Sequence, residues 1–213
     1  MNCAVESIER HTWSMLIAAV QHDIVWEDAP ATRAALEPRL AAAAAAGARL
    51  IVLAEMFATG FSLDGDAVAE APDGPSVTWM ADQARSLGCW IAGSLAIDTG
   101  SGRPVNRLVA AGPEGELTTY DKRHPFSFGK EPEVYDAGED LATVEIDGMI
   151  WGLTVCYELR FSYDYWSRAN DLDGYLVVAN WPRPRREHWQ ALLRARAVEN
   201  LAYVIGVNRV GTD

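Results

Sequence analysis

The sequence predicts an α/β fold, a sheet of strands covered by helices, and three observations carry that expectation. Apolar, β-branched runs of strand length alternate with longer helix-forming stretches along the 213 residues. One run, Leu50-Ile51-Val52-Leu53-Ala54, is apolar without interruption, as a strand covered on both faces is. Elsewhere strands are joined directly by turn residues, Gly112-Pro113-Glu114-Gly115 and Asp147-Gly148, which predicts hairpins inserted among the crossovers. With 49% hydrophobic and 23% charged residues, the chain suits one sizeable core and one domain.

Taken in order, residues 1–14 show little periodicity and read as an N-terminal extension, with Met15 a candidate natural start and residues 15–213 as the domain proper. Met15 to Val20 is the first strand. A helix follows from near Pro30 to Gly47, since proline suits a first helical turn and glycine a left-handed cap. Its alanines, Ala41 to Ala46, favour helix and close packing, while Pro38 predicts a kink or a split. The apolar run 50–54 is the second strand and ends on Glu55. A second helix runs from Pro75 and Ser76 to Gly88, then a strand from Cys89 to Ile97 and a turn at 99–102. Val105 to Ala111 and Glu116 to Tyr120 pair as a hairpin, closed by Asp121-Lys122-Arg123-His124. Pro125 to Asp140, rich in proline, glycine and charge, reads as a loop. Ala142 to Ile146 and Ile150 to Cys156 form the second hairpin, followed by a helix to about Asn170 and a strand at 175–179. The last elements are a helix over 187–200, with Trp189, Leu192, Leu193 and Ala197 on one stripe, and a strand at 203–207.

Composition removes several function classes. A net charge of −12 argues against general nucleic-acid binding, because phosphate is repelled before any specific contact forms. No apolar run is long enough to span a bilayer, and the first twenty residues carry Glu6, Glu9 and Arg10, unlike a secretory signal. Three widely spaced cysteines, Cys3, Cys89 and Cys156, have no metal-ligand spacing and suit a reducing compartment. The expectation is a cytoplasmic protein with no metal and no cofactor.

Three chemically distinct side chains sit just past apolar runs: the carboxylate of Glu55, the ammonium of Lys122 and the thiol of Cys156. In α/β folds, ligands bind at the carboxyl ends of strands, where such groups converge. A thiol nucleophile needs a base, and an acyl-transfer transition state needs positive charge near its oxyanion, so this set supplies both without histidine. Each residue has a plainer reading. Cysteine is often a buried core residue, a glutamate ending a strand is often a solvated rim, and a lysine between Asp121 and Arg123 is often a surface charge.

Leu53-Ala54-Glu55-Met56-Phe57, Tyr120-Asp121-Lys122-Arg123-His124 and Leu153-Thr154-Val155-Cys156-Tyr157-Glu158-Leu159-Arg160-Phe161 resemble the three signature segments of the nitrilase superfamily, the carbon–nitrogen hydrolases. Met56 to Phe61, Ala179-Asn180-Trp181-Pro182 and Arg194 to Asn200 most resemble its omega-amidase branch, which hydrolyses the terminal amide of 2-oxoglutaramate or 2-oxosuccinamate. The resemblance implies a four-layer α-β-β-α sandwich, a homodimer or larger assembly, and a small-molecule amide as substrate, cleaved through a thioester with release of ammonia. It implies that Cys156 is the nucleophile, Glu55 the general base and acid, and that Lys122 and the backbone N–H after Cys156 hold the oxyanion. A fourth site glutamate in the following loop falls on Glu131, with Glu133 its competitor. Lys122 beside Glu55 and Cys156 is expected to favour the thiolate and keep the carboxylate ionised.

Two features depart from the family pattern. Glu158 stands where the family usually has aspartate, and the chain ends at Val210-Gly211-Thr212-Asp213, so the last strands of the sandwich are expected to be missing. Around the thiol, Tyr157, Arg160, Trp181, Phe61 and Phe126 are the candidate substrate-binding residues. Arg160 suits a forked clamp on a substrate carboxylate, or equally a salt bridge to Glu158. Trp181 suits a pocket wall or the core. Arg183, Arg185 and Arg186 read as a solvated helix entrance. The rivals are another branch of the superfamily (a carbamoyl-amide hydrolase or a nitrile-cleaving enzyme), a truncated domain that only associates, a cysteine–histidine site using His124 or His188, and a metal hydrolase.

Overall fold

The computed structural model describes residues 15–100 and 102–212; the expected extension over 1–14, with Cys3, lies outside the described residues. The elements in order are β1 (Ile17–Ala19), α1 (Ala29–Ala45), β2 (Leu50–Val52), α2 (Gly65–Val68), α3 (Pro75–Leu87), β3 (Trp90–Ile97), β4 (Val105–Ala111), β5 (Leu117–Asp121) and α4 (Glu131–Val134). They continue with β6 (Thr143–Ile146), β7 (Met149–Val155), α5 (Ser162–Trp166), β8 (Gly174–Ala179), α6 (Arg186–Asn200) and β9 (Tyr203–Asn208).

The strands form two sheets, β1-β2-β3-β4-β5 and β6-β7-β8-β9. In the first, β1, β2 and β3 run parallel and the β3-β4-β5 meander is antiparallel. In the second, β6 and β7 form the hairpin and β7, β8 and β9 run parallel. Side-chain alternation along a strand decides what each sheet face covers. Leu50 and Val52 join Trp90, Leu108, Val144, Trp151 and Leu153 in a core shared by the two sheets. Ile51 and Leu53 instead join Leu36 and Leu40 of α1 and Val77 and Met80 of α3. On the far side, Trp189, Leu192 and Leu193 of α6 pack against the second sheet. Gly206 of β9 permits that approach, since a Cβ there would lie 2.6 Å from Leu193. The order of layers is therefore helix, sheet, sheet, helix, as expected.

Several expectations are refined. Pro38 does not split α1, which runs through it with Thr32, Leu36 and Leu40 buried along one face. Helix N- and C-termini follow the local signals: Asp28 caps α1 by accepting from the Ala31 amide at 2.9 Å, and Gly88 ends α3 in the left-handed region. The single helix expected after Cys156 is instead a 3₁₀ turn over Cys156–Arg160 and the short α5, interrupted at Phe161, whose backbone (φ −99°, ψ 82°) is not helical. The loop over 125–140 contains a 3₁₀ turn at Ser127–Gly129 and α4, and the short α2 was not expected.

Candidate active site

Four strand ends and one loop meet at a cavity of about 220 Å³ whose lining includes Glu55, Lys122, Cys156, Asn180 and Arg185. β2 stops at Val52, and Glu55 sits in the turn beyond it, fixed because the Met56 amide donates to Ser94 Oγ at 2.9 Å and the Phe57 amide to the Ser94 carbonyl at 3.0 Å. Met56 has φ 43° there. Lys122 follows the last residue of β5, and Cys156 follows the last residue of β7. Cys156 has φ 48°, a left-handed conformation that a side chain with Cβ adopts at a cost of about 1–3 kcal/mol. Such strain, held by the strand behind and the 3₁₀ turn ahead, aims the thiol off the sheet edge into the cavity.

At the floor, Lys122 Nζ donates to Glu55 Oε1 at 2.8 Å and to both Glu131 oxygens at 3.0 and 2.8 Å. All three charged groups are essentially inaccessible to solvent. Asn106 Nδ2, from the second residue of β4, donates to Glu55 Oε1 at 2.9 Å and Glu131 Oε1 at 3.2 Å. Asn180, just past β8, donates through its backbone to Glu55 Oε2 at 2.8 Å and through Nδ2 to the Glu55 carbonyl at 2.6 Å. Glu131 also accepts from the Phe126 amide, so the loop carrying Phe126 is tied to the floor. Glu133 is exposed and takes no part in this network, whereas Glu131 is buried within it.

The electrostatics show how far the Lys122 field reaches the thiol. Burial, foremost, pushes the Cys156 thiol well up, the Glu55 charge adds to this, and Lys122 opposes it without prevailing. Lys122 favours the thiolate, as expected, but burial and the Glu55 charge outweigh it. Burial alone would discharge Lys122, but Glu131 and Glu55 overcome it and hold the ammonium well above its ordinary range. Burial and the Glu55 charge thus favour the protonated form of the thiol beside the Lys122–Glu55–Glu131 cluster.

Glu158 is buried behind the thiol. Its Oε1 accepts from Tyr120 Oη at 2.6 Å and from the amides of Arg123 and His124 at 2.7 and 3.2 Å, while Oε2 accepts from the Val155 amide at 2.6 Å. One carboxylate thus ties the segment carrying Lys122 to the segment carrying Cys156. Arg160 makes no salt bridge to it. Instead the Arg160 guanidinium lies 4.9 Å over the Trp181 ring and donates to His188 Nδ1 at 3.2 Å.

Phe61, Phe126, Tyr157, Arg160 and Trp181 all line the cavity. Trp181 serves both readings, being buried and part of the wall. Phe61 lies 5.6 Å from Lys122 Nζ, and Phe126 meets Tyr157 edge to face at 5.1 Å. His124 pairs with Asp164 at 2.7 Å and stacks on Phe161, and neither it nor His188 lines the cavity, so a cysteine–histidine site is not formed. Among the described residues, no group of three or more His, Cys, Asp or Glu could hold a metal ion. Sequence reasoning gave no role to Asn106, Asn180 or Arg185. A lone asparagine within the apolar run 105–111 was the available signal for the first; Arg185 was hidden in what looked like a solvated cluster.

Residues 16–213 match the family model described as carbon-nitrogen hydrolase. Omega-amidase YafV of Escherichia coli (strain K12) is 46% identical over 198 residues, 92% of this chain and 75% of that protein. The 2-oxoglutaramate amidase of Bacillus subtilis (strain 168) is 33% identical over 172 residues, 78% of this chain and 65% of that protein. Among solved structures, XC1258 from Xanthomonas campestris, a CN-hydrolase superfamily protein with an arsenic adduct in its active site, is 42% identical. It superposes with a TM-score of 0.88 over 92% of this chain and 76% of that one.

Proposed function

This chain belongs to the carbon–nitrogen hydrolase family, and from that premise we propose that it is an omega-amidase whose catalytic group is Glu55, Lys122, Cys156 and Glu131. The observation that supports it most directly is the buried Cys156 thiol sharing a cavity with Glu55, whose carboxyl group Lys122, Asn106 and the Asn180 amide hold in one orientation. A small amide fits a cavity of about 220 Å³. YafV and the Bacillus subtilis enzyme are named for omega-amidase and 2-oxoglutaramate amidase activity, which supports that substrate class here.

The chemistry follows from the resting proton. Glu55 takes it from Cys156 as sulfur bonds to the amide carbon, so charge moves from sulfur to the carbonyl oxygen without a free thiolate standing in an apolar site. Lys122 and the Tyr157 backbone N–H stabilise the oxyanion, a contribution worth roughly 3–4 kcal/mol for one such donor. The tetrahedral intermediate collapses, the carbon–nitrogen bond breaks, and Glu55 returns the proton to departing ammonia. Water, deprotonated by Glu55, then attacks the thioester, and the thiol regains its proton as the acid leaves. Glu131 holds Lys122 from the side away from Glu55, so the ammonium keeps its place while Glu55 is transiently neutral. Arg160, over Trp181 at the mouth, accepts the substrate's far carboxylate.

The same reading includes a cytoplasmic homodimer with residues 15–213 as the catalytic domain. Free, buried Cys89 and Cys156 suit a reducing compartment, and no helix is long and apolar enough to cross a membrane among the described residues. Exposed Tyr163, Trp166, Val198, Leu201 and Tyr203 supply apolar area for self-association on the α5–α6 side.

The deciding experiment is ammonia release from 2-oxoglutaramate by the parent chain and by Cys156→Ala. Release by the parent, lost by a factor of about 10⁴ or more in the variant, is expected. Equal release from both would remove Cys156 as nucleophile. No release with 2-oxoglutaramate, but release with an N-carbamoyl amine or a nitrile, would move the chain to another branch of its family.

A further inference from the structure

We propose that Arg185 is a second substrate-contacting arginine, and that with Arg160 it makes the cavity mouth select a 2-oxo acid amide over the corresponding 2-amino acid. The inference rests on the amidase reading of the floor and concerns a residue and a discrimination that reading does not supply.

Arg160 and Arg185 both line the cavity above Cys156. They differ from Arg49, Arg103, Arg107 and Arg123, each of which holds a carboxylate, at 2.8, 2.7, 2.6 and 2.9 Å. Among the described residues neither Arg160 nor Arg185 has a carboxylate within ion-pair distance. Each lies over an aromatic ring, and Arg160 also donates to His188 Nδ1 at 3.2 Å. The Arg185 guanidinium lies 5.4 Å over Phe126 and that of Arg160 lies 4.9 Å over Trp181. A stacked guanidinium is oriented through its face, and its N–H donors point outward in the plane, where a carboxylate can accept two of them.

The two stacks are also one mechanical unit. Trp181 Nε1 donates to the Arg185 carbonyl at 2.8 Å, and the Trp181 amide donates to Asn208 Oδ1 at 2.7 Å. The ring beneath Arg160 is thereby bonded to the backbone of Arg185, within a 3₁₀ turn (Arg183–Arg185) that contains Pro184 and follows Pro182. Phe126, beneath Arg185, donates its amide to Glu131 of the floor. The spacing between the two forks, and from each fork to the thiol, is set by rigid connections rather than by the arginine side chains alone.

The charge at this mouth runs against the rest of the molecule. The chain carries −12, yet Arg160 and Arg185 line the cavity and Arg183, Arg186 and Arg209 line the groove beside it. The one carboxylate lining the cavity, Glu55, is committed to Lys122 and Asn106. A 2-oxo acid presents three oxygen acceptors at its far end, one on the 2-carbon and two on the carboxylate, and two forks can satisfy all three. A 2-amino acid replaces one acceptor with an ammonium. That group would face two cations, find no free carboxylate, and lose its water. Glutamine and 2-oxoglutaramate carry the same terminal amide, so the floor cannot tell them apart; the mouth can.

The test is kcat/KM for 2-oxoglutaramate, L-glutamine and butyramide, an amide with no far-end charge, with the parent, Arg185→Met and Arg185→Lys. Methionine keeps an apolar body over Phe126 and leaves the backbone bond to Trp181 in place. Arg185→Met is expected to lower the ratio of 2-oxoglutaramate to butyramide by about tenfold or more, chiefly through KM, and to narrow the preference over glutamine. Arg185→Lys should restore part of both ratios, since charge returns without the fork. If the parent hydrolyses 2-oxoglutaramate but Arg185→Met leaves the ratios within twofold, or lowers all three substrates in parallel, Arg185 only packs the loop and the inference falls while the amidase reading stands. If the parent itself prefers butyramide, the omega-amidase reading falls and takes this inference with it.

Discussion

Glu55, Lys122 and Glu131 at the floor of the cavity and Arg160 and Arg185 at its mouth handle charge in opposite ways. The floor groups are cut off from water, and every one is paired and hydrogen-bonded. The mouth groups are half-exposed, stacked on aromatic rings and without carboxylates. Burial explains the difference. A charge out of water is tolerated only with partners, so the floor must be complete before substrate arrives, whereas a charge still touching water can wait for its partner. On the proposed reading, preorganisation for chemistry belongs to the floor and recognition to the mouth.

Removing one charge from each region should separate them most widely. Lys122→Met leaves Glu55 and Glu131 facing each other in a dry site with no cation between them. Stability should fall by about 3–5 kcal/mol, read as a loss of roughly 6–20 °C in Tm, unless one carboxyl takes up a proton to relieve it. Turnover should fall by about 10³ or more through loss of the oxyanion partner. Arg160→Met should instead raise KM for 2-oxoglutaramate by about tenfold and move Tm by no more than about 2 °C. Thermal unfolding and steady-state ammonia release on both variants check the contrast. A large Tm loss in Arg160→Met, or none in Lys122→Met, would break it.

Glu158 sharpens the same comparison, because it belongs to the floor by burial but touches no substrate. Its two oxygens accept from four donors, one from the strand that ends at Cys156 and three from the segment that carries Lys122. In Glu158→Gln one side-chain oxygen becomes an NH₂, which must face donors on one side or the other. The expected loss is about 1–3 kcal/mol of stability. It should come with a fall in kcat of about tenfold at nearly constant KM, since Lys122 and Cys156 lose their common tie while the mouth is untouched. Glu158→Asp, which keeps the acceptors, should recover more of kcat than of stability. A KM effect as large as the kcat effect would argue that the tie reaches the mouth as well.

The two regions also differ in how far the sequence disclosed them. The strand-end residues stand out because an apolar run terminates on a reactive side chain, and that pattern located Glu55, Lys122 and Cys156. Glu131 came from the resemblance alone. Nothing local separates it from Glu133, and only the fold of α4 buries one and leaves the other exposed. The helix predicted after Cys156 failed because the left-handed backbone of Cys156 and the break at Phe161 depart from what local propensity favours. Arg185 was illegible for a different reason. Its neighbours Arg183 and Arg186 are exposed, and whether one of three arginines turns onto Phe126 is decided by a turn anchored through Trp181, far along the chain from Phe126.

The smallest expected effect concerns the proton that the floor keeps on sulfur. Burial, then the Glu55 charge, raise the Cys156 thiol well above its ordinary value. The folded protein therefore holds this proton more tightly than the unfolded chain, whose thiol titrates near about 8.5. Below that value both states are protonated and the group's contribution to stability is fully present. Above it the unfolded chain releases the proton and the folded state does not, so stability falls by up to about 1.4 kcal/mol per pH unit. In Cys156→Ala this loss is absent, while the contribution of Cys89, whose thiol burial also raises, remains the same in both chains. Between pH 8 and pH 9.5 the parent should lose roughly 3–6 °C more in Tm than the variant. Parallel losses would mean that Lys122 does stabilise a resting thiolate, and that the floor stores a charged nucleophile as the mouth stores charged forks. A steeper loss in the parent would mean that the nucleophile is made only when Glu55 and a bound amide draw its proton away. The boundary between the regions would then be one of timing as well as of place.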